Sequence, residues 1–377
     1  IYLDYSATTP VDPRVAEKMI PYLTELFGNP ASRSHAFGWT AEKAVEEARE
    51  DVAALVGADP KEIIWTSGAT ESNNLAIKGA AHFYSGKGKH IITLKTEHKA
   101  VLDTVRELER QGFEATYLDV QENGLVDLEA LKAAIRPDTV VISVMFVNNE
   151  VGVVQPIAEI GELCREKGII FHVDAAQATG RVAFDLSKLP VDLMSLTAHK
   201  TYGPKGIGAL YVRAGTPIRP ITYGADQEHG LRPGTESVAL IVALGAAASL
   251  ARASLPALST QLQTLRDRLH VQLQAGVPGL RLNGHADQRL PNTLHVSFPG
   301  ISGRDLLAEA SNAVAASVGS ACHSDQDAVS GVLAAMGFDA ERARGAVRLS
   351  VGRTTQMDDI DKAAEALTAA WKLLTRQ

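Results

Sequence analysis

Cysteine is scarce in this sequence, which contains only Cys164 and Cys322 among its 377 residues. Two cysteines cannot form the disulfide framework that stabilises small secreted domains, so we predict a reducing, cytoplasmic environment. Cys164 falls within a helical pattern of apolar residues, which is typical of a buried thiol that acts as a small hydrophobic side chain. Cys322 is therefore the better candidate for chemistry.

Excess positive charge and long apolar runs are also missing. The 37 Lys and Arg residues are outnumbered by 44 Asp and Glu residues, which gives a net charge of −7, whereas general nucleic-acid binders are usually basic. We find no uninterrupted run of about 18 apolar residues, which a membrane-spanning helix needs. None of the 11 histidines pairs with a cysteine at the spacing of metal ligands. We therefore expect no nucleic-acid partner, no membrane and no metal site.

Short apolar runs alternate with helical patterns through the first part of the chain. This alternation predicts an α/β fold with a mostly parallel sheet that is covered by helices on both faces, and ligands of such a sheet bind at the carboxyl ends of its strands. Near residue 250 the composition changes, with one predicted helix over residues 238–254 and a more polar one over residues 258–274. Shorter patterns follow, including a predicted strand over residues 314–318, and they indicate a smaller α+β domain.

The chain is long enough for two domains with separate cores. We predict an N-terminal arm over residues 1–14 that packs with the small domain, and a large domain over residues 15–255. The small C-terminal domain is predicted over residues 256–377, and it carries the loop of Cys322.

Asp174 and Lys200 form the central pair of the predicted site. An apolar strand ends at Asp174, and Lys200 follows Thr197 and His199 after the next short strand. A lysine that forms an imine and an acid that holds a pyridinium nitrogen are the groups that pyridoxal phosphate (PLP) chemistry requires. Considered alone, such a lysine is usually solvated, and such an acid usually caps the segment that follows it.

Three other polar stretches follow predicted strands. Residues 67–71 begin a helix, and the free amides of a helix N-terminus bind phosphate, although an isolated pattern of this kind is usually an ordinary helix cap. His98 has an ordinary pKa that suits proton transfer near neutral pH, although a lone histidine is more often structural. Asn149 lies in a pattern that is also typical of a simple turn.

Cys322 stands in the stretch 319–325, among glycine, serine and His323, between two regular elements. A structural cysteine is more common within an apolar stripe. A cysteine on a polar loop is typical of a reactive thiol, so this stretch is the second predicted functional centre.

With these motifs the chain resembles the class V aminotransferase family, and within it the cysteine desulfurases of the NifS/IscS type and the selenocysteine lyases. The resemblance extends from residues 2–10 to residues 347–353. It implies a PLP-dependent enzyme of fold type I, the aspartate aminotransferase-like fold, that works as a homodimer.

The resemblance also implies a role for individual residues. Lys200 binds PLP covalently and moves a proton, Asp174 holds the pyridine nitrogen, and His98 stacks on the ring as an acid–base group. The remaining implied contacts to PLP are Ala69, Thr70, Thr197 and His199 at the phosphate, Asn149 and Gln177 at the ring oxygen, and Thr235 at the phosphate of the neighbouring subunit.

The substrate side of the site is implied by the same resemblance. Arg348 clamps the substrate carboxylate, with Asn149 beside it, and Arg353 is a less favoured alternative. Arginine suits this planar, bidentate task. Cys322 is the nucleophile that attacks the substrate sulfur or selenium.

Two substrates fit this set of residues. A desulfurase converts L-cysteine to L-alanine and carries the sulfur on Cys322 as a persulfide, which an acceptor protein then receives. A selenocysteine lyase releases selenide and L-alanine from L-selenocysteine, and His323 and residues 231–236 resemble this group more closely. We place the desulfurase first. A plain class V aminotransferase would not need Cys322, and a non-catalytic scaffold would be expected to lack Lys200 or Asp174.

Asp226 departs from the family pattern, which usually has a glycine-richer stretch at this point. A carboxylate near a phosphate would repel it. Either Asp226 points away from the phosphate, or this loop is arranged differently from its relatives.

Overall fold

A seven-stranded sheet forms the centre of the computed structural model, which describes residues 1–319 and 330–376. Its strands are β1 (Ile63–Thr66), β2 (His90–Leu94), β3 (Glu114–Leu118), β4 (Thr139–Ser143), β5 (Ile170–Asp174), β6 (Leu193–Thr197) and β7 (Gly208–Val212). They lie in the order β1-β7-β6-β5-β4-β2-β3. Strands β2 to β6 are parallel, and within this sheet β7 alone runs against its neighbours. The predicted mostly parallel α/β sheet is confirmed.

Helices cover both faces of this sheet. Those that precede β7 are α1 (Pro13–Met19), α2 (Pro21–Thr24), α3 (Ala36–Val56), α4 (Ala69–Phe83), α5 (Lys99–Arg110), α6 (Leu128–Ala134) and α7 (Ile157–Lys167). Successive strand residues point to opposite faces. Ile91 therefore packs in a different cluster from Ile92, and Ile64 in a different cluster from Trp65. Two apolar layers result, and they hold the sheet rigid beneath the edge at which its parallel strands end.

A second, smaller sheet follows the long helix α8 (Val238–Gly276). The remaining elements are β8 (Arg281–Leu282), β9 (Thr293–Ser297), α9 (Gly303–Glu309), α10 (Gly331–Ala335), α11 (Ala340–Arg344), β10 (Ala346–Ser350) and α12 (Met357–Leu374). The three strands are antiparallel in the order β10-β9-β8, and together with α9 and α12 they enclose a core of their own.

Helix α8 takes part in both cores. Ile241 and Leu244 belong to the core of the large sheet, while Leu262 and Leu269 belong to that of the small one. The sequence predicted two helices separated near residue 255, but Pro256 lies inside one continuous helix. An 18-residue stretch of α8 has a mean hydropathy of 1.9, long and apolar enough to span a membrane, yet 56% of it is buried within the molecule. That burial is typical of a core helix. The proposed domain limits at residues 14 and 255 stay predictions.

The N-terminal segment crosses between the two cores. Leu3 is fully buried in the core of the small sheet, where its N–H donates to the Ala315 carbonyl (2.8 Å) and its carbonyl accepts from the Ser350 N–H (2.7 Å). The predicted strand over residues 314–318 is reduced to isolated bridges, one of them between Tyr2 and Ala315. Farther along, the Thr9 N–H donates to the His199 carbonyl (2.9 Å) at the edge of the large sheet.

A buried histidine ties three central strands together. His172 of β5 is fully buried, and its two ring nitrogens lie 2.8 Å from Ser143 Oγ of β4 and 2.9 Å from Ser195 Oγ of β6. Burial lowers the pKa of His172 to about 4, although the nearby Asp174 carboxylate acts in the opposite direction. The ring is therefore neutral at pH 7, where it bridges the two hydroxyl groups without a buried charge.

We predict that His172 makes stability depend on pH between about 6.5 and 4. Unfolding raises its pKa to the ordinary value, so the unfolded chain binds a proton first as the pH falls. The stabilisation is complete above pH 6.5 and is lost towards pH 4, by up to roughly 3 kcal/mol for this residue. Urea unfolding at pH 7 and pH 4.5 measures it.

Two variants separate the charge of this residue from its hydrogen bonds. His172→Gln should be less stable than the wild type at pH 7 but should lose less stability on acidification. Ser195→Ala removes one of the same hydrogen bonds and should keep the full pH dependence. An unchanged pH dependence in His172→Gln would contradict the prediction.

Candidate active site

A cavity of about 470 Å3 opens at the carboxyl edge of the large sheet, where β1, β5 and β6 end. Residues that lie far apart between positions 7 and 206 meet there, because the loops that follow parallel strands all lie at the same edge of the sheet. The residues predicted for the site that line this cavity are Ala69, Thr70, His98, Asn149, Asp174, Gln177, Thr197, His199 and Lys200. The structure thus brings together most of the residues that the sequence singled out.

Asp174 ends β5, and its carboxylate is almost fully buried. It accepts hydrogen bonds from Asn73 Nδ2 (2.9 Å) and the Ala176 N–H (3.0 Å). Four lone-pair positions are available on an ionised carboxylate, so two remain for another donor. Asp174 can therefore hold a cationic N–H group inside the cavity.

Asn73 is a site residue that the sequence analysis missed. It lies on α4, is fully buried, and its Oδ1 has no partner among the described residues. The signal was its position four residues after Ala69, which places both on one face of the helix. A polar residue on a helix face that is otherwise apolar indicates a buried hydrogen-bond partner.

The segment that carries Lys200 is held from outside by the N-terminal arm. The His199 carbonyl accepts from both the N–H and the hydroxyl of Thr9 (2.9 Å each), and the Thr9 hydroxyl accepts from the Tyr202 N–H (2.9 Å). Tyr202 has a φ of 61°, in the left-handed region that is unfavourable for a bulky side chain. Contacts with the arm thus stabilise a backbone turn directly after Lys200.

His199 is neutral at physiological pH. Burial lowers its pKa to about 4, and the positive charges of Lys200, Lys205 and Arg181 act in the same direction. Its Nδ1 lies 3.1 Å from the Thr8 hydroxyl. A neutral ring beside two lysines can serve as a hydrogen-bonding group without adding a third positive charge.

His98 begins α5 and accepts the Ala100 N–H at its Nδ1 (3.1 Å), so this nitrogen carries no proton. Burial lowers the pKa of His98, while the charge of Asp174 acts in the opposite direction. Its neighbour Glu97, which the sequence analysis did not select, is buried and accepts the Met145 N–H at Oε1 (2.8 Å). Burial raises the pKa of Glu97 well above its ordinary value, and the negative charge of Asp174 acts in the same direction.

The N-terminus of α4 forms an anion-binding cradle beside Lys200. Gly68 caps the helix with a φ of 151°, and the first turn contributes Ala69 and Thr70. First-turn amides have no partner within a helix and point outward. Gly208 of β7 approaches closely, since a side chain there would place its Cβ 2.7 Å from the Gly68 Cα. A glycine at this position keeps the cradle open.

Arg348 lies beside the cavity but does not line it. Its guanidinium is buried, with Nη1 donating to the Asn149 carbonyl (2.7 Å) and Nη2 to Asp4 (2.9 Å). Its Nε has no partner among the described residues. Arg353 is engaged elsewhere, in an ion pair with Asp12 (2.6 Å) and over the ring of Tyr202.

Three further residues of interest lie away from this cavity or outside the described part. Thr235 is exposed and does not line the cavity of its own chain. Asp226 is also exposed and lines a separate cavity with Arg33 and Lys61, away from the cavity of its own chain; its position relative to a phosphate of the neighbouring subunit stays a prediction. Cys322 lies outside the residues that the structure describes.

The groups in the cavity fit PLP. The amides of α4 suit a phosphate, the partly satisfied carboxylate of Asp174 suits a protonated ring nitrogen, and Lys200 provides an amine. Met145 and Val147 supply apolar walls for an aromatic ring. Glu71 in the first turn of α4 also lines the cavity, and its carboxylate forms an ion pair with Arg232 (2.8 Å).

Known proteins are similar to this chain over most of their length. The family model described as aminotransferase class-V matches residues 1–363. The chain is 64% identical over 370 residues to the cysteine desulfurase IscS of Dechloromonas aromatica (strain RCB), covering 97% of this chain and 91% of the relative. It is 60% identical over 364 residues to the cysteine desulfurase IscS of Methylobacillus flagellatus, covering 96% of this chain and 89% of the relative.

Solved structures agree with these sequence relatives. A NifS-like protein superposes with a TM-score of 0.92 at 38% identity, covering 100% of both chains. The structure described as SspA in complex with cysteine superposes with a TM-score of 0.83 at 39% identity, covering 93% of this chain and 98% of the other. Both likenesses extend beyond the large sheet to the small one, and they confirm the predicted fold type. This chain therefore belongs to the aminotransferase class-V family.

Proposed function

We propose that this chain is a PLP-dependent cysteine desulfurase, which converts L-cysteine to L-alanine and retains the sulfur on Cys322 as a persulfide. The observation that carries the proposal is the meeting of Lys200, Asp174 and the α4 cradle in one cavity. The identity of 55–64% to eight cysteine desulfurases over nearly the whole chain supports the same activity.

PLP, when bound, supplies an electron sink for the electrons released at the substrate Cα. Asp174 would keep the ring nitrogen protonated through its carboxylate, which Asn73 holds in place. The residues that would hold the rest of PLP are Ala69, Thr70, Thr197 and His199 at the phosphate, Asn149 and Gln177 at the ring oxygen, and His98 at the ring face. Lys200 provides the covalent attachment.

Proton movement in the cavity is assigned to two residues. Lys200 Nζ removes the proton from the substrate Cα after the substrate has taken its place, and it later returns a proton to the product. His98 is neutral, so it can accept or donate a proton beside the reacting atoms. The pKa of the neighbouring Glu97 carboxyl is raised by burial, which favours its uncharged form.

Sulfur transfer is assigned to Cys322. Its thiolate attacks the substrate sulfur, an S–S bond forms, and the Cβ–S bond of the substrate breaks. The electron pair of that bond stays on the substrate Cβ, which then takes up a proton. One thiol and one L-cysteine thus give one persulfide and one L-alanine, and an acceptor protein can receive the terminal sulfur.

Arg348 is proposed to recognise the substrate carboxylate. Two of its nitrogens are committed to Asp4 and Asn149, while its buried Nε is without a partner among the described residues. An unpaired buried donor is costly, and a carboxylate would satisfy it. Asn149 links this residue to the cavity, because its carbonyl accepts from Arg348 while the residue itself lines the site.

A homodimer in the cytoplasm is the proposed form of the enzyme. Large apolar side chains are exposed around α1, α2 and the start of α3, including Leu23, Phe27, Phe37 and Trp39. An exposed apolar patch of this kind indicates a protein interface. The exposed Thr235 would reach the phosphate cradle of the neighbouring subunit across it.

Replacing Lys200 tests the assignment of the base. Lys200→Ala should lower L-alanine formation from L-cysteine by at least about 10³-fold, because general-base catalysis and covalent attachment are lost together. Alanine release by the PLP-saturated protein measures the effect. Lys188→Ala, at an exposed lysine that forms an ion pair with Asp185, should retain wild-type turnover. Alanine formation at a normal rate in Lys200→Ala would refute the mechanism.

The two cysteines provide a matched test of sulfur transfer. Cys322→Ala should bind PLP normally but release no alanine from L-cysteine, since the attacking thiol is missing. Cys164→Ala should keep its activity, because burial raises the pKa of the Cys164 thiol and leaves it inert. L-Selenocysteine given in parallel distinguishes the alternative activity, since turnover of selenocysteine alone by the wild type would identify a lyase.

Mixed dimers test the proposed reach of Thr235. Thr235→Ala should bind PLP about 10-fold more weakly, as expected for the loss of one hydrogen bond to a charged group. In a heterodimer with Lys200→Ala, the one site that keeps Lys200 receives an intact Thr235 from the other subunit. At limiting PLP the heterodimer should therefore be more active than either variant homodimer and reach about half the activity of the wild-type dimer. No recovery would place Thr235 in its own subunit's site.

A further inference from the structure

Arg181 lies behind the cavity and joins three separate segments of the chain. It is largely buried, and its guanidinium donates to Gln177 Oε1 (2.6 Å), to the Tyr5 carbonyl (2.8 Å) and to the Lys200 carbonyl (2.9 Å). None of these acceptors is a carboxylate, and among the described residues Arg181 forms no ion pair. Burial lowers its pKa to about 10, so it remains charged at neutral pH.

Each hydrogen-bond partner of Arg181 lines the cavity or is next to a residue that contacts a lining residue. Lys200 and Gln177 both line it, and Tyr5 precedes Ser6, whose carbonyl accepts from Gln177 Nε2 (2.9 Å). A buried guanidinium without an acidic partner is costly unless its hydrogen bonds are well formed. The three hydrogen bonds of Arg181 fix the positions of Gln177, Tyr5 and Lys200 relative to one another.

The direction of the Gln177 amide follows from Arg181. A guanidinium only donates, so the amide must turn its oxygen to Arg181 and its NH₂ group to the other side. One of the two amide hydrogens is used by the Ser6 carbonyl. The other is left for a ligand that presents an oxygen acceptor.

We propose that Arg181 is a positioning residue, which fixes the Lys200 backbone and the Gln177 amide so that both address the same bound PLP. The inference rests on the proposed function for the identity of that cofactor. Lysine reaches its target through four rotatable bonds, so a fixed backbone limits where Nζ can go. The fixed amide presents a donor to the ring oxygen and cannot present its own oxygen instead.

Variants at two arginines separate this role from a general effect on stability. Arg181→Lys keeps the charge but has a single nitrogen, which cannot reach all three acceptors. Arg213→Lys is the matched control, because Arg213 likewise donates to three acceptors, in its case the backbone carbonyls of Val191, Leu186 and Leu189, at the end of β7 away from the cavity.

The readout is the attachment of PLP to apo-protein before any substrate is added. The rate of attachment is followed by absorbance, and the product on Lys200 is trapped with borohydride and located by mass spectrometry. PLP affinity and the Tm of the apo-protein are measured in parallel. Arg181→Lys should attach PLP about 10-fold more slowly and bind it about 10-fold more weakly, the effect of one lost charged hydrogen bond. Arg213→Lys should lower the Tm to a similar extent, but its rate of PLP attachment and its PLP affinity should stay within about twofold of the wild-type values.

Wild-type attachment in Arg181→Lys, or an equal loss in Arg213→Lys, would overturn the proposal. Arg181→Gln provides a second variant, with a neutral donor, and should be slower still; if it does not fold, Arg181→Lys decides the matter alone. A wild-type protein that attaches PLP and yields no alanine from cysteine would refute the proposed function, while a slow Arg181→Lys would still support the role of Arg181.

Discussion

At the end of β5 a carboxylate is buried, and among the described residues it accepts hydrogen bonds from Asn73 and the Ala176 N–H. A buried charge of this kind demands a positive partner, and the cavity beside it is shaped to admit one. The charge of Asp174 also acts on the pKa of its neighbours, raising that of Glu97, His98 and His172. For the two histidines burial acts more strongly in the opposite direction, so both rings are neutral beside Asp174.

The fold was largely predictable because the spacing of apolar residues along the sequence differs between helices and strands. Buried parallel strands leave continuous apolar runs, and the runs that end at Asp174 and Thr197 were found within about one residue of their bounds. The reversed direction of β7 was not predictable, since apolar pattern carries no direction. Nor was the continuity of α8, where the change in composition near residue 250 indicated two helices but packing against two cores keeps one. The strand expected at residues 314–318 has no full partner and forms only bridges.

Sequence analysis found the residues that line the cavity and lie in short motifs. It was less successful for residues that act by holding another residue in place. Lys200, Asp174 and His98 lie in short motifs next to strand ends, which sequence comparison recognises. Asn73 and Arg181 act through hydrogen bonds that connect segments far apart in the chain, and such pairings leave no local pattern. Arg348 lies between these two cases. Its motif was evident in the sequence, but its ion pair with Asp4 was not.

Leu3 has a consequence for how the protein is made. It is buried in a core whose other buried members lie between residues 258 and 370, so this segment cannot reach its final position until that later part of the chain has been synthesised. At about 5–20 residues per second, that delay is of the order of 20–70 s. The turn after Lys200 contacts the same arm, so its final geometry also depends on a segment that packs fully only after residues 258–370 have been made.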